Sequence, residues 1–200
     1  MDAIETLMNE HRVIERVLDG LVGFVDEVER RGSTEQAELG RFVTFIREFA
    51  DACHHGKEED ILFEAMVAHG FPKQGGPIAV MLQEHDQGRA FVGVLRRHAE
   101  SGAAWTDAER REVGDAARAY SSLLRAHIHK EDAILYPMAE QHLPPEAMQA
   151  VADACARYEE DPARAGKHGR LHALGDELIR AHAAAVHPSE PRAFRGGCCG

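Results

Sequence analysis

The chain has 200 residues, of which 44% are hydrophobic and 28% charged, a composition that is ordinary for a globular protein with a buried core. Its formal net charge of -11 offers no basic face to phosphate groups, so nucleic acid is excluded as an expected partner. No run approaches the roughly 18 apolar residues of a membrane span, and the N-terminus lacks the pattern of a secretory signal. We therefore expect a cytoplasmic protein that contacts no membrane.

Hydrophobic periodicity predicts an all-α chain whose helices are separated by connections that contain glycine and proline. The first four predicted helices cover residues 2–30, 34–68, about 78–100 and about 107–140. Connections this short place consecutive helices side by side, which predicts an up-down four-helix bundle. We assign residues 1–142 to this bundle.

Local signals mark where these helices begin and end. Arg31-Gly32-Ser33-Thr34 is predicted to end the first helix and cap the second. Pro77 stands at the start of the third helix, and Thr106 is a predicted N-cap of the fourth with Glu109 three residues later. Gly56, inside the second helix, costs roughly 1 kcal/mol relative to alanine, and we expect it on an exposed face.

The remaining residues continue as an additional helical segment. Residues 146–160 and 166–186 have helical periodicity, and we predict that 143–187 form a C-terminal extension packed on the bundle, followed by a disordered tail at 188–200. His168 and His172 lie four residues apart and are a weak metal-binding candidate. Of the four cysteines, Cys53 and Cys155 are predicted to be packed thiols. Cys198 and Cys199 lie in the tail, either as a soft-metal or oxidant-sensitive pair or, as we favour, simply as part of an exposed end.

Two segments share one sequence frame, and this frame contains the candidate metal ligands. Residues 53–63 read CHHGKEEDILF and residues 126–136 read AHIHKEDAILY, so both contain H-x-x-x-E-(D/E)-x-x-L-(F/Y). Residues four apart lie on one face of a helix, so His54 with Glu58 and His127 with Glu131 each present an imidazole and a carboxylate to the same side. The sequence therefore predicts two chelating pairs.

Each pair is preceded by a Glu-His dipeptide at a similar distance. His11 lies 43 residues before His54, and His85 lies 42 residues before His127. One H-x-x-x-E among 13 histidines can arise by chance, but two copies in one frame, each following a Glu-His, are hard to explain that way. The predicted metal ligands are His11, His54, Glu58, His85, His127 and Glu131, and imidazole favours Fe, Zn, Cu or Ni over Mg or Ca.

This H…HxxxE…H…HxxxE pattern, with Glu10-His11-Arg12, Glu84-His85-Asp86 and Leu135-Tyr136-Pro137 around it, resembles the hemerythrin-like family of four-helix bundles. The resemblance covers about 140 residues. It implies a cofactor of two non-haem iron ions with an oxo or hydroxo bridge, carried by the six ligands named above.

The pattern also departs from that of the oxygen-carrying members. These have a second histidine four residues after the one on the third helix, where this chain has Arg89, so we expect one histidine ligand to be missing. Glu15 occupies the matching place in the first half, and either forms a salt bridge with Arg89 over the pocket, as we favour, or is a third carboxylate ligand. Tyr120, two turns before His127, either packs in the core or hydrogen-bonds near the site.

The resemblance implies a function in small-molecule chemistry. Open positions on both ions would favour reaction with hydrogen peroxide, dioxygen or nitric oxide, in oxidative or nitrosative stress defence, with catalase-like or nitric-oxide-consuming activity as the candidate enzyme reactions. Alternatives are reversible dioxygen binding or sensing, and iron storage or donation without turnover. No catalytic residue and no oligomeric state is assigned.

Overall fold

A computed structural model describes residues 3–160 and 166–182, and within them all regular structure is helical. Helix α1 is Ala3–Arg31. Helix α2 begins as Gln36–Phe45, passes through π-helical turns at Ile46–His55 and Glu58–Leu62, and ends as Phe63–Ala68. Helix α3 is Pro77–Ala99. Helix α4 comprises Asp107–Lys130, a π-helical turn Glu131–Leu135, and Tyr136–His142. Helices α5 and α6 are Pro145–Glu160 and Lys167–His182.

The first four helices form the predicted bundle. Helix α4 lies between α1 and α3, and α2 packs on α3, so the prediction of an all-α four-helix bundle is confirmed. None of the helices in 3–160 and 166–182 has the length and apolar content required to cross a membrane.

The apolar core is divided into two clusters along the bundle axis. One cluster contains Leu21, Phe42, Phe49, Val113 and neighbouring side chains. The other is built from the opposite ends of the same helices, with Leu7, Leu62, Met66, Met81 and Leu135 among its members. Each helix therefore passes through a short polar stretch between two apolar ones, and these four stretches lie at one level.

Helices α5 and α6 cover the face formed by α1 and α2. Leu171 and Leu178 of α6 belong to the first apolar cluster, and Val151 and Cys155 of α5 belong to the second. At Gly175 a Cβ would lie 2.8 Å from the ring of Phe45, so glycine permits the close approach of α6 to α2.

The described residues include most of the predicted extension. Residues 161–165 lie outside them, as do 183–187 at the end of the second predicted C-terminal helix. The predicted disordered tail, with Cys198 and Cys199, also lies outside the described residues.

Two of the three predicted helix starts are confirmed. Thr106 and Glu109 form a reciprocal capping box, and Pro77 is at the first turn of α3. The prediction that Thr34 caps the second helix is wrong: the N-cap is Glu35, without a side-chain hydrogen bond. The Thr34 hydroxyl instead accepts a hydrogen bond from the Trp105 backbone N–H at 2.8 Å, which ties together two connections at one end of the bundle.

Gly56 is not on an exposed face, contrary to our expectation. A Cβ at this position would lie 2.1 Å from the Tyr158 hydroxyl oxygen, which donates a hydrogen bond to the Ala52 carbonyl at 2.9 Å. Glycine therefore lets α5 lie directly against α2 at the level of the predicted ligands.

Candidate metal centre

The polar level of the bundle contains seven buried side chains that offer metal-ligand atoms. Each is at most 5% exposed. They are His11 on α1, His54, His55 and Glu58 on α2, His85 on α3, and His127 and Glu131 on α4. All six predicted ligands are thus brought together, and His55 joins them.

These side chains form two groups that could each hold an ion, and within each group the ligand atoms lie within 4.8 Å of one another. The first group comprises His11, His54, Glu58 and Glu131, and the second comprises His55, Glu58, His85 and His127. Glu58 belongs to both. The two groups are therefore adjacent and share a carboxylate.

Both carboxylates are divided between the groups. Glu58 Oε1 lies 3.7 Å from His54 Nε2, and its Oε2 lies 3.6 Å from His85 Nε2. Glu131 Oε2 lies 3.3 Å from His11 Nε2, and its Oε1 lies 3.1 Å from His127 Nε2. Each carboxylate thus presents one oxygen to each group, which is the geometry of a bridging ligand.

The Nδ1 atom of every one of these imidazoles points away from the pocket toward a carboxylate. The pairs are His11 with Asp132 at 2.7 Å, His54 with Glu10 at 2.8 Å, His55 with Asp51 at 3.4 Å, His85 with Glu59 at 2.6 Å, and His127 with Glu84 at 3.0 Å. A carboxylate at Nδ1 fixes the proton there and leaves the Nε2 lone pair free to bind a cation. The histidines are oriented as metal ligands.

These outer carboxylates are in turn paired with basic side chains. Lys57 donates to Glu10 at 2.5 Å and to Glu159 at 2.6 Å. Lys130 donates to Glu84 in the corresponding place of the second half. Both outer carboxylates thus have a lysine partner, whereas no lysine or arginine of the described residues pairs with Glu58 or Glu131.

Arginines complete this outer layer. Arg89 donates to Glu59 at 2.7 Å and to Asp51 at 2.9 Å. Arg12 pairs with Asp132 and, at 3.0 Å, with Glu15. The predicted ion pair between Glu15 and Arg89 is therefore wrong, and Glu15 belongs to neither group of ligand atoms. Its nearer partner is one turn away on its own helix, while Arg89 faces the acidic residues of α2.

Several buried polar atoms in the pocket lack hydrogen-bond partners, and a cation that fits the pocket should satisfy them. They are His54 Nε2, Glu58 Oε2 and both carboxylate oxygens of Glu131. His85 Nε2 and His127 Nε2 also face each other at 3.0 Å, although each imidazole has a carboxylate at its Nδ1. Unpaired carboxylate oxygens and opposed lone pairs are unfavourable in a buried site. A cation in each group would satisfy all of them, so the residues fit a metal centre.

Burial and neighbouring charges shift the pKa values of these side chains in different directions. Burial lowers the pKa of His54 to about 4, as does the neighbouring His11, and burial lowers the pKa of His55 well below its ordinary value. Burial raises the pKa of Glu58 well above its ordinary value, and repulsion from Glu131 adds to this. At His11 the effect of burial is outweighed by the hydrogen bond to Asp132 and by the adjacent carboxylate of Glu131, which raise its pKa to about 9.

Two tyrosines differ in their relation to the pocket. Tyr120, for which the sequence allows either core packing or a hydrogen bond near the site, is buried in the first apolar cluster and packs against Gly88. Tyr136, which our assignment omitted, donates a hydrogen bond from its hydroxyl to Glu58 Oε1 at 2.5 Å, and its ring stacks on His11. Tyr136 is the last residue of the repeated frame H-x-x-x-E-(D/E)-x-x-L-(F/Y), and this position was the sequence signal that could have placed it at the site.

His55 is the other omission. Its ring stacks on that of His85 with centroids 3.8 Å apart, and it takes a place for which we expected no histidine. Adjacent residues on a regular α-helix point about 100° apart, so spacing alone directs His54 or His55 inward, but not both. The π-helical turn that ends at His55 widens the helix, and the two neighbouring imidazoles enter different groups.

Comparisons with known proteins bear on this geometry. A family model described as the hemerythrin HHE cation binding domain matches residues 2–139. Neither the curated proteins nor the solved structures include a match. The matched range ends within α4 and contains every residue of the two groups.

Proposed function

Because the chain belongs to the hemerythrin HHE cation-binding family, we propose that its two buried groups hold two non-haem iron ions and that the centre reacts with a small oxidant. Hydrogen peroxide, dioxygen and nitric oxide are the candidate reactants, and oxidative or nitrosative stress defence in the cytoplasm is the proposed role. The observation that carries the proposal is the pair of adjacent ligand groups sharing Glu58, with Glu131 also directed at both.

The donor set favours iron over the hard cations. Five imidazoles and two carboxylates converge on the pocket, and imidazole selects transition metals over Mg and Ca. Iron in such a site would supply the redox chemistry that peroxide, dioxygen or nitric oxide requires. The protein supplies a fixed ligand geometry, because each Nε2 is aimed by a carboxylate at the opposite ring nitrogen.

Tyr136 places a hydroxyl proton donor beside residues of the two groups. Burial and the neighbouring Glu58 raise the pKa of its hydroxyl well above the ordinary value, so it is neutral and carries its proton at physiological pH. The hydroxyl lies 3.4 Å from His11 Nε2 as well as 2.5 Å from Glu58. It can therefore donate a hydrogen bond to a small anion or oxidant that enters the pocket.

Metal content and peroxide turnover test the proposal together. Elemental analysis of the purified protein should give about two irons per chain. Oxygen release on addition of peroxide should exceed that of an equal concentration of free iron. One iron per chain would contradict the two-ion centre, whereas two irons without turnover of peroxide or nitric oxide would contradict the reaction and retain the site.

Reversible dioxygen binding is a second candidate, and His55 favours it. The repeated pattern supplies four histidines against the five of the oxygen-carrying relatives, but with His55 three imidazoles offer ligand atoms in one group and two in the other. A charge-transfer band that appears with oxygen and disappears under vacuum would identify a carrier. Loss of iron to a chelator within minutes, without oxidant turnover and without reversible oxygen binding, would instead identify an iron store or donor.

A further inference from the structure

A third set of ligand atoms lies outside the histidine pocket, where α6 meets the bundle. Glu10 of α1, Cys53 of α2 and His168 of α6 each offer one ligand atom, and the three atoms lie within 4.8 Å of one another. Glu10 is buried, and the other two side chains are partly exposed. The set therefore combines a carboxylate, a thiol and an imidazole from three different helices.

Open space adjoins these donors on two sides. A cavity of about 570 Å³ between α1, α5 and α6 is lined by Glu10, Glu159, His168 and His172 among others. A second cavity of about 90 Å³ is lined by Cys53, Glu159 and His168. Glu159 and His168 line both cavities, so the three donors lie at the edge of open space among the described residues.

We propose that Glu10, Cys53 and His168 form a mononuclear site for a divalent transition metal of the zinc class. Thiolate, imidazole and carboxylate are the ligands of tetrahedral zinc sites, and a thiolate disfavours Mg and Ca. Glu159 Oε1 lies 4.0 Å from His168 Nε2, beside the three donors, and either this carboxylate or water would complete the coordination. The predicted pair His168 and His172 contributes one ligand, while His172 packs edge-on against Phe49.

The charges around the site permit such an ion. Lys57 hydrogen-bonds both Glu10 and Glu159, and Lys167 and Glu48 also line the cavity beside Cys53. The three carboxylates outweigh the two ammonium groups, and a thiol that binds a metal loses its proton, so a divalent ion finds compensating negative charge here. The ion would replace the hydrogen bond of 3.4 Å between His168 and Glu10.

Glu10 connects this third site to the histidine pocket. Its Oε2 holds His54 Nδ1 at 2.8 Å, while its Oε1 faces Lys57 and His168. One oxygen of this carboxylate would thus bind the ion of the third site, while the other orients His54 in the histidine pocket. An ion here would also join the C-terminal helix to α1 and α2.

Cobalt titration tests this site separately from the buried centre. The full chain is used with Cys198→Ser and Cys199→Ser, which removes the cysteines outside the described residues, and it is loaded with iron before Co²⁺ is added. We expect one Co²⁺ per chain with thiolate-to-cobalt charge-transfer absorption. The two histidine groups contain no cysteine, so this absorption does not depend on the number of irons bound.

Single substitutions then identify the ligands. In this background Cys53→Ser should abolish the thiolate absorption, and His168→Gln should weaken Co²⁺ binding by at least the roughly 10- to 100-fold typical for loss of an outer-sphere partner. Cys155→Ser, at a buried cysteine outside the set, is the matched control and should bind Co²⁺ as before. Absence of the absorption in the parent, its persistence in Cys53→Ser, or unchanged affinity in His168→Gln would overturn the proposal.

Discussion

Glu10 and Glu84 occupy the same place in the two halves of the molecule, and their replacement by glutamine should have unequal effects on stability. Each carboxylate holds the Nδ1 of the histidine in the chelating pair of its own half and accepts a hydrogen bond from a lysine three residues after that histidine. Glutamine preserves the shape and removes the charge. The weakening of iron binding should be similar in both variants, about 10- to 100-fold, or roughly 1.4–2.8 kcal/mol.

The lysines left behind differ in exposure. The side chain of Lys57 is 0% exposed, and that of Lys130 is 33% exposed. Leaving a buried charge without its partner costs about 3–5 kcal/mol, whereas an exposed pair contributes about 0–1 kcal/mol. Because Lys57 retains Glu159 as a partner, we expect Glu10→Gln to cost about 3 kcal/mol more than Glu84→Gln.

Thermal unfolding of the iron-loaded variants, followed by circular dichroism, measures this difference. At about 2–4 °C per kcal/mol for a chain of this size, Glu10→Gln should melt roughly 6–12 °C below Glu84→Gln. Iron content is determined in parallel, so that loss of metal is separated from loss of the ion pair. Equal melting temperatures at equal iron content would refute the argument that the buried ammonium group is the cause.

Three further predictions concern the pocket and the C-terminal contact. His55→Gln should lower the iron content to about one ion per chain by elemental analysis, whereas His129→Gln, at an exposed position, should leave the iron content unchanged. Loss of iron in His129→Gln but not in His55→Gln would refute the assignment of His55 as a ligand. Tyr136→Phe removes a hydrogen bond to a carboxylate, which is worth about 1.5–3 kcal/mol, and should slow peroxide consumption while iron content stays the same; an unaltered rate would exclude a role in proton donation. Gly56→Ala should destabilise the parent chain by denaturant titration but stabilise a Tyr158→Ala chain by about 1 kcal/mol, and stabilisation in both backgrounds would contradict the close contact.

The helices and most of the pocket were predictable because they depend on local spacing. A repeat of His and Glu four residues apart fixes one face of a helix wherever the helix packs, and the Glu-His dipeptide forty residues earlier identifies the partner helix. His11, His54, His85 and His127 all lie where this reasoning placed them. The capping box at Thr106 was predictable for the same reason, since it involves residues only three apart.

Features that depend on distant contacts were not predictable. The choice of partner for Arg89 depends on which acidic residues of α2 face it, and two of them, Asp51 and Glu59, lie closer than the residue we chose. The need for glycine at position 56 depends on Tyr158, which is about a hundred residues away in sequence. His55 required knowledge of a π-helical turn, for which the sequence has no simple periodic signal.

The distribution of charge explains why the centre of the bundle binds cations. Every carboxylate behind a histidine has a lysine or arginine beside it, so each charge of the outer layer has a partner within the protein. Glu58 and Glu131 are the exception, because both are 0% exposed and neither pairs with a lysine or arginine among the described residues. The apolar clusters above and below this level exclude water that could solvate them. Without a metal, Glu58 Oε2 and both carboxylate oxygens of Glu131 lack hydrogen-bond partners, and since ligand binding to the folded state alone stabilises it, metal loading and folding should reinforce each other there.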